Sequence, residues 1–378
     1  MKHELARELL LAGLLGWLML LAGAAALNLV QEFCSGQWLL QSSVLWCLVW
    51  QQVWQRRAAN RSSTATLPYP GLGWANRLTL LRGCLIAATG GFLFQPQYPA
   101  LHGWAPALLY LPAAMLDRVD GYVARRYGQT TVLGGELDTV FDALGLVVAP
   151  LLAVAYGKIH WSYLLVSLAY YLFQIGLRWR RWHGRPVHPL EPNTLRRTLA
   201  GFQMGFIAVA LSPLMQAPTT SLIGTAFMVP VLIRFSVDWL IVSGRIEPHT
   251  VVLMRRHERI ATFSATILQP LLRLLPAAVL FAIYLKGDGD GSLWPSDPMA
   301  GYGLLLGAAL MALGLAGRSG ALVILILLAW RSADGDPARV DTTYCVTIFS
   351  AAWILLLGTG RASLWRPENR WLDRNGED

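Results

Sequence analysis

Apolar runs of roughly 20 residues, each long enough to cross a bilayer as one α-helix, recur along almost the whole chain with only short polar connectors between them. That repetition leaves very few folds open. The spacing predicts helices near 9–30, 38–54, 79–97, 105–123, 139–157, 160–178, 197–215, 221–243, 263–285, 300–316, 318–331 and 343–360. The expected fold is an all-α polytopic membrane protein with about twelve transmembrane helices. Composition agrees where it matters: 14% of the residues are charged, against roughly 25% in soluble domains. The first run, Leu9 to Val30, is too long for the apolar core of a signal peptide and is expected to stay as a helix.

The net charge of +9 would suggest nucleic acid in a soluble protein. Here the basic residues sit between apolar runs, so orientation and anionic lipids or substrates are expected instead, and no nucleic acid. With a cytoplasmic N-terminus, the outside connectors hold Lys158, Lys286, Arg331 and Arg339, only four of the 31 basic residues. Trp38, Trp104 and Trp161 fall at outside boundaries, where interfacial tryptophans are expected. Cys34, Cys47, Cys84 and Cys345 form no CxxC, so neither a disulfide framework nor a zinc site is expected. Composition divides the chain into 1–71, two helices and a Ser/Thr/Pro linker; 72–244, six helices; and 245–378, a final four-helix block.

One stretch carries chemistry. Residues 117–142 place Asp117 and Asp120 three apart on one predicted helix and Asp138 and Asp142 four apart on the next. Each pair shares a helix face, and the two faces can converge. Carboxylates in or beside a span cost about 2.5–3.5 kcal/mol each at a helix centre, so together they need a partner. Converging carboxylates bind hard divalent cations, with Mg²⁺ the leading candidate. Gly121, Ala124 and Gly134 lack bulk, which lets a ligand or a neighbouring helix approach the backbone, and Arg125 offers a fork for phosphate. The competing account pairs the acids with Arg118 and Arg126 and uses the small residues for packing. The four aspartates plus Glu136 outnumber Arg118, Arg125 and Arg126, which favours a metal.

The pattern D-x2-D-G-x2-A-R-x8-G-x3-D-x3-D, filled by Asp117, Asp120, Gly121, Ala124, Arg125, Gly134, Asp138 and Asp142, resembles the signature of the CDP-alcohol phosphotransferases. Asn76, Thr79 and Arg82 also fit the stretch that opens the family's first core helix, with Ala75 where a proline is usual. The resemblance covers about residues 72–244. It implies a six-helix core whose site opens to the cytoplasm and which transfers a substituted phosphate from a CDP-alcohol, commonly CDP-diacylglycerol, to an acceptor alcohol with release of CMP. It implies further that Asp117, Asp120 and Asp138 hold a pair of Mg²⁺ or Mn²⁺ ions, that Asp142 is both ligand and general base, and that Thr79, Gly121, Ala124, Arg125 and Gly134 line the CDP-alcohol. The expected setting is a multi-pass protein of a bacterial inner membrane, with membrane lipids as neighbours and a homodimer as a candidate assembly.

For the acceptor, Arg196 and Arg197 open a helix beside the core, and Arg234 sits in a later span with Asp238 four residues on. These three are the candidate acceptor residues, for an alcohol that carries a phosphate, such as glycerol 3-phosphate or an inositol phosphate. The loop that contains Arg178, Arg180, Arg181 and Arg185 is read equally well as a lipid-facing basic loop. From about 263 to 365 the chain loosely resembles the four-helix DoxX-like membrane family, with Gly358, Gly360, Arg361, Ser363 and Leu364 fitting its closing stretch and a tight turn expected at Gly317–Gly320. The alternative to an enzyme is a scaffold or transporter built on the same bundle.

Overall fold

The computed structural model describes residues 2–29, 34–64, 67–96, 101–190, 194–246, 262–286, 293–295, 297–333, 340–360 and 362–365, with backbone alone at 2–3, 101–102, 194–197 and 333. Among them are twelve α-helices and no β-strand: α1 Lys2–Asn28, α2 Ser35–Arg56, α3 Gly73–Gly90, α4 Leu101–Arg126, α5 Val132–Ala155, α6 Leu164–Trp182, α7 Thr194–Ala210, α8 Thr219–Val242, α9 Gln269–Lys286, α10 Pro298–Leu313, α11 Gly317–Ala333 and α12 Thr342–Leu357. Four stretches, Glu4–Asn28, Val132–Ala155, Thr219–Val242 and Ser264–Lys286, are long and apolar enough to cross a membrane. The described residues form the all-helical fold of a membrane protein. It divides into two compact units, Met1–Gly157 with Met204–Pro213, and Lys158–Gln203 with Leu214–Asp378. These packing units and the three compositional segments are different partitions of the chain.

In the first unit α3 is the central helix, packed by α1, α2, α4 and α5. Its sequence explains why. Gly83, Cys84, Ala87, Ala88 and Gly90 are buried and small, so neighbours approach closely, while Asn76, Thr79 and Arg82 repeat every three residues and put polar groups inside the bundle. The N-terminal pair closes by a similar device: a Cβ on Gly16 would collide with the Trp46 ring, and Trp46 Nε1 donates to Gly13 O at 3.2 Å. Trp38, expected as an interfacial anchor, is instead 2% exposed and set edge-on to Phe92.

In the second unit α8 packs on α6, α11 and α12, and the last four helices pack among themselves. Trp353 Nε1 donates to Ala226 O at 3.1 Å, and the Thr219 and Tyr344 hydroxyls bond to each other, fastening α12 to α8. Arg273 of α9 is buried and donates to Met311 O, Ala312 O and Thr359 O. Two of these carbonyls, Met311 O and Ala312 O, belong to the last turn of α10, where helix carbonyls run short of backbone donors. The turn expected at Gly317–Gly320 lies earlier: Gly314, at φ 65°, ends α10, and Gly317 already opens α11. Arg361 lies outside the described residues. Lys158, expected in an outside connector, is fully buried with Nζ donating to Met215 O at 2.7 Å, and burial pushes its ammonium down to about 8.

Candidate functional site

The two aspartate pairs are brought together by a short reversal. Gly128, at φ 61°, follows the end of α4, and Thr131 caps α5 by accepting from Gly134 N at 2.9 Å. Both helices pack against α3, which supplies the group between them. Arg82, 2% exposed, places Nη1 2.7 Å from Asp117 Oδ1 and 2.8 Å from Asp138 Oδ1, while Nη2 bonds Asp142 Oδ1. One guanidinium thus faces three carboxylates, which outnumber it by two charges when all three are ionised.

Asp117, Asp138 and Asp142 each offer a carboxylate oxygen, and these oxygens lie within 4.8 Å of one another. Three converging hard donors with excess negative charge suit a divalent cation. Asp120, expected as a fourth ligand, stands beside this group: it is 6% exposed, and the Thr79 hydroxyl lies 2.8 Å from its Oδ2. Thr79, expected against the CDP-alcohol, is buried on α3 with its hydroxyl near Asp120 Oδ2 and Ala75 O.

The acids pair with Arg82 of α3, whereas Arg118 and Arg126 are exposed. Arg82 was legible only as part of the Asn76-Thr79-Arg82 spacing, which puts all three on one face of α3, and its role as counter-charge was not. Arg125 is exposed, with its guanidinium 3.4 Å from where a Cβ on Gly121 would stand, so the two share a face of α4 with half-buried Ala124 beside them.

Gly134 has a packing reason of its own. A Cβ there would stand 2.8 Å from Asn76 Oδ1, so the glycine lets α5 begin against the Asn76 amide. Gly134→Ala is therefore expected to destabilise the protein by about 1–3 kcal/mol, the usual cost of overpacking. A thermal melt checks this, and an unchanged midpoint would mean that Asn76 gives way freely.

Of the three acceptor candidates, only Arg234 has a described side chain. Those of Arg196 and Arg197 lie outside the described residues. Arg234 pairs with Asp238 at 2.8 Å along α8. In the basic loop, Arg180 is buried and donates to Pro186 O and Ser243 O, while Arg185 stacks over Trp179 at 4.8 Å. Those two arginines are engaged in holding the loop.

Residues 72–234 match the CDP-alcohol phosphatidyltransferase family. A CDP-diacylglycerol–glycerol-3-phosphate 3-phosphatidyltransferase of Cereibacter sphaeroides is 33% identical over 144 residues, 36% of this chain and 63% of that protein. Its namesake in Blochmanniella floridana is 31% identical over 93 residues, 24% of this chain and 46% of that protein. The one in Pectobacterium atrosepticum is 43% identical over 61 residues, 15% and 34% of the two chains. The chain thus spans less than two thirds of each relative's length. No solved structure matches.

Proposed function

Because residues 72–234 carry a CDP-alcohol phosphatidyltransferase domain, we propose that the chain is an integral membrane transferase of phospholipid biosynthesis that moves a phosphatidyl group from CDP-diacylglycerol to an acceptor alcohol and releases CMP. The observation that carries this reading is the convergence of Asp117, Asp138 and Asp142 on Arg82. An uncompensated carboxylate cluster inside a helical bundle is costly unless a cation completes it.

Asp117, Asp138 and Asp142, with Asp120 beside them, would hold Mg²⁺ or Mn²⁺, as two ions. When bound, such cations neutralise the diphosphate and align the attacking oxygen. Asp142 takes the proton from the acceptor hydroxyl at a carboxylate oxygen. The acceptor oxygen then bonds to the phosphatidyl phosphorus as the bond from that phosphorus to the CMP oxygen breaks, and CMP carries away the electron pair. Arg82 holds the Asp142 carboxylate in place for that proton transfer. Arg125, over Gly121, is positioned on α4 to meet a diphosphate oxygen, and Arg196, Arg197 and Arg234 are the candidates for an acceptor phosphate.

Glycerol 3-phosphate, the acceptor in the names of the relatives, is the first to test. The basic residues gathered at one set of connectors support a site open to the cytoplasm from a bacterial inner membrane. The block after residue 245 is proposed as a DoxX-like four-helix membrane domain that packs on α8, and a homodimer as the assembly.

The test is CMP release by the purified full-length protein, given CDP-diacylglycerol and a panel of acceptors with Mg²⁺ or Mn²⁺. Chelation is expected to lower the rate by at least about 100-fold, since the cation's share of the barrier is several kcal/mol. Absence of metal-dependent CMP release with every acceptor in the panel would leave the scaffold or transporter reading standing.

A further inference from the structure

Asn60 lies in the connector between α2 and α3, ahead of the matched segment, yet it is completely buried. A buried amide must find partners for both its ends. Asn60 Nδ2 donates to Gly71 O at 2.8 Å, and Asn60 Oδ1 accepts from Asn76 Nδ2 at 3.0 Å. Its backbone oxygen accepts from Tyr69 N at 2.7 Å, which closes the connector into a loop. Asn76 Nδ2 also lies 3.1 Å from Thr131 Oγ1, the group that caps α5. The next residue, Arg61, adds a second tie, because its oxygen accepts from Val132 N at 2.9 Å.

The connector is therefore hydrogen-bonded to the first turn of α3 and to the first turn of α5. Further along these two helices lie Arg82 on α3 and Asp138 and Asp142 on α5, the groups that meet in the carboxylate cluster. A helix is stiff, so a shift at its first turn is carried to residues two turns on. A misplacement of about 1 Å, even from a change remote from the chemistry, can cost about 100-fold in rate.

We propose that Asn60 is a positioning residue for this site: through Asn76 and Thr131 it fixes the register of α3 against α5, and so the way Asp138 and Asp142 meet Arg82 and a divalent cation. The N-terminal segment outside the family domain is then part of what makes the domain competent. This rests on the reading of the aspartates as a metal site given above.

The experiment uses the full-length protein in detergent. Asn60→Ala removes both side-chain bonds; Asn60→Asp keeps an oxygen for Asn76 to donate to. Mn²⁺ affinity is measured by paramagnetic resonance, alongside the melting midpoint and the kcat and KM for CMP release per folded molecule. Asn60→Ala is expected to weaken Mn²⁺ binding about tenfold and to lower kcat by about 10–100-fold with KM for the CDP-alcohol within about threefold. Asn60→Asp is expected to recover most of the Mn²⁺ affinity. If the alanine variant does not fold, Asn60→Ser, too short to reach Asn76, carries the same expectation. A folded Asn60→Ala or Asn60→Ser protein with wild-type Mn²⁺ affinity overturns the proposal. Should the wild-type protein release no CMP at all, the transferase reading fails, while the Mn²⁺ titration still decides the role of Asn60.

Discussion

Asp142→Asn is expected to reduce CMP release by more than about 1,000-fold while the protein stays folded. General-base catalysis contributes about 10²–10⁴ in rate, and an amide at position 142 can neither take the acceptor proton nor offer a charged oxygen to a cation. The fold should tolerate the change because Asn has the same shape and its oxygen can still accept from Arg82, which keeps its bonds to Asp117 and Asp138. The expected signature is a collapse of kcat with a melting midpoint within a few degrees of the wild type. Retention of the rate by a folded Asp142→Asn protein would remove Asp142 as the base and send the search to Asp117 or Asp138, which share its oxygens' neighbourhood.

How far the sequence alone reaches depends on the range of the interaction. The aspartate faces are legible because i,i+3 and i,i+4 spacings are local, and a helix converts them directly into geometry. Gly128 and Thr131, which turn α4 back into α5, are local signals too. Arg82 is different. Its carboxylate partners lie on two other helices, and nothing in its neighbourhood marks it as their counter-charge. Asn60 is harder still, since an asparagine in a polar connector reads as a solvated turn residue until its burial is seen. Trp38 illustrates the opposite error: in an apolar chain a tryptophan near a helix end fits an interfacial belt and a packed core equally well, and only neighbours distant in sequence, such as Phe92 in the turn after α3, decide. The acceptor is illegible for a physical reason as well. Arginines in a membrane protein serve topology, loop anchoring and phosphate binding alike, and Arg180 turns out to serve the second.

Arg82→Met tests the charge balance of the cluster apart from catalysis. The substitution keeps an unbranched apolar stem but deletes the cation that faces three carboxylates. Removing one partner of a buried ion pair typically costs about 3–5 kcal/mol. Here Asp117, Asp138 and Asp142 keep 26%, 48% and 32% of their side chains exposed, so solvent screens part of the repulsion and a loss of about 2–4 kcal/mol is expected in chelator. A divalent cation bound to the native state alone stabilises it in proportion to its affinity. Mg²⁺ or Mn²⁺ should therefore raise the melting midpoint of Arg82→Met by more than it raises that of the wild type, because the cation then supplies charge that the guanidinium no longer does. Arg82→Lys should fall between the two, since one ammonium cannot fork across carboxylates on two helices. An equal metal-induced shift in all three proteins would show that cation and guanidinium do not draw on the same oxygens, and the three aspartates would then lose their standing as the metal site.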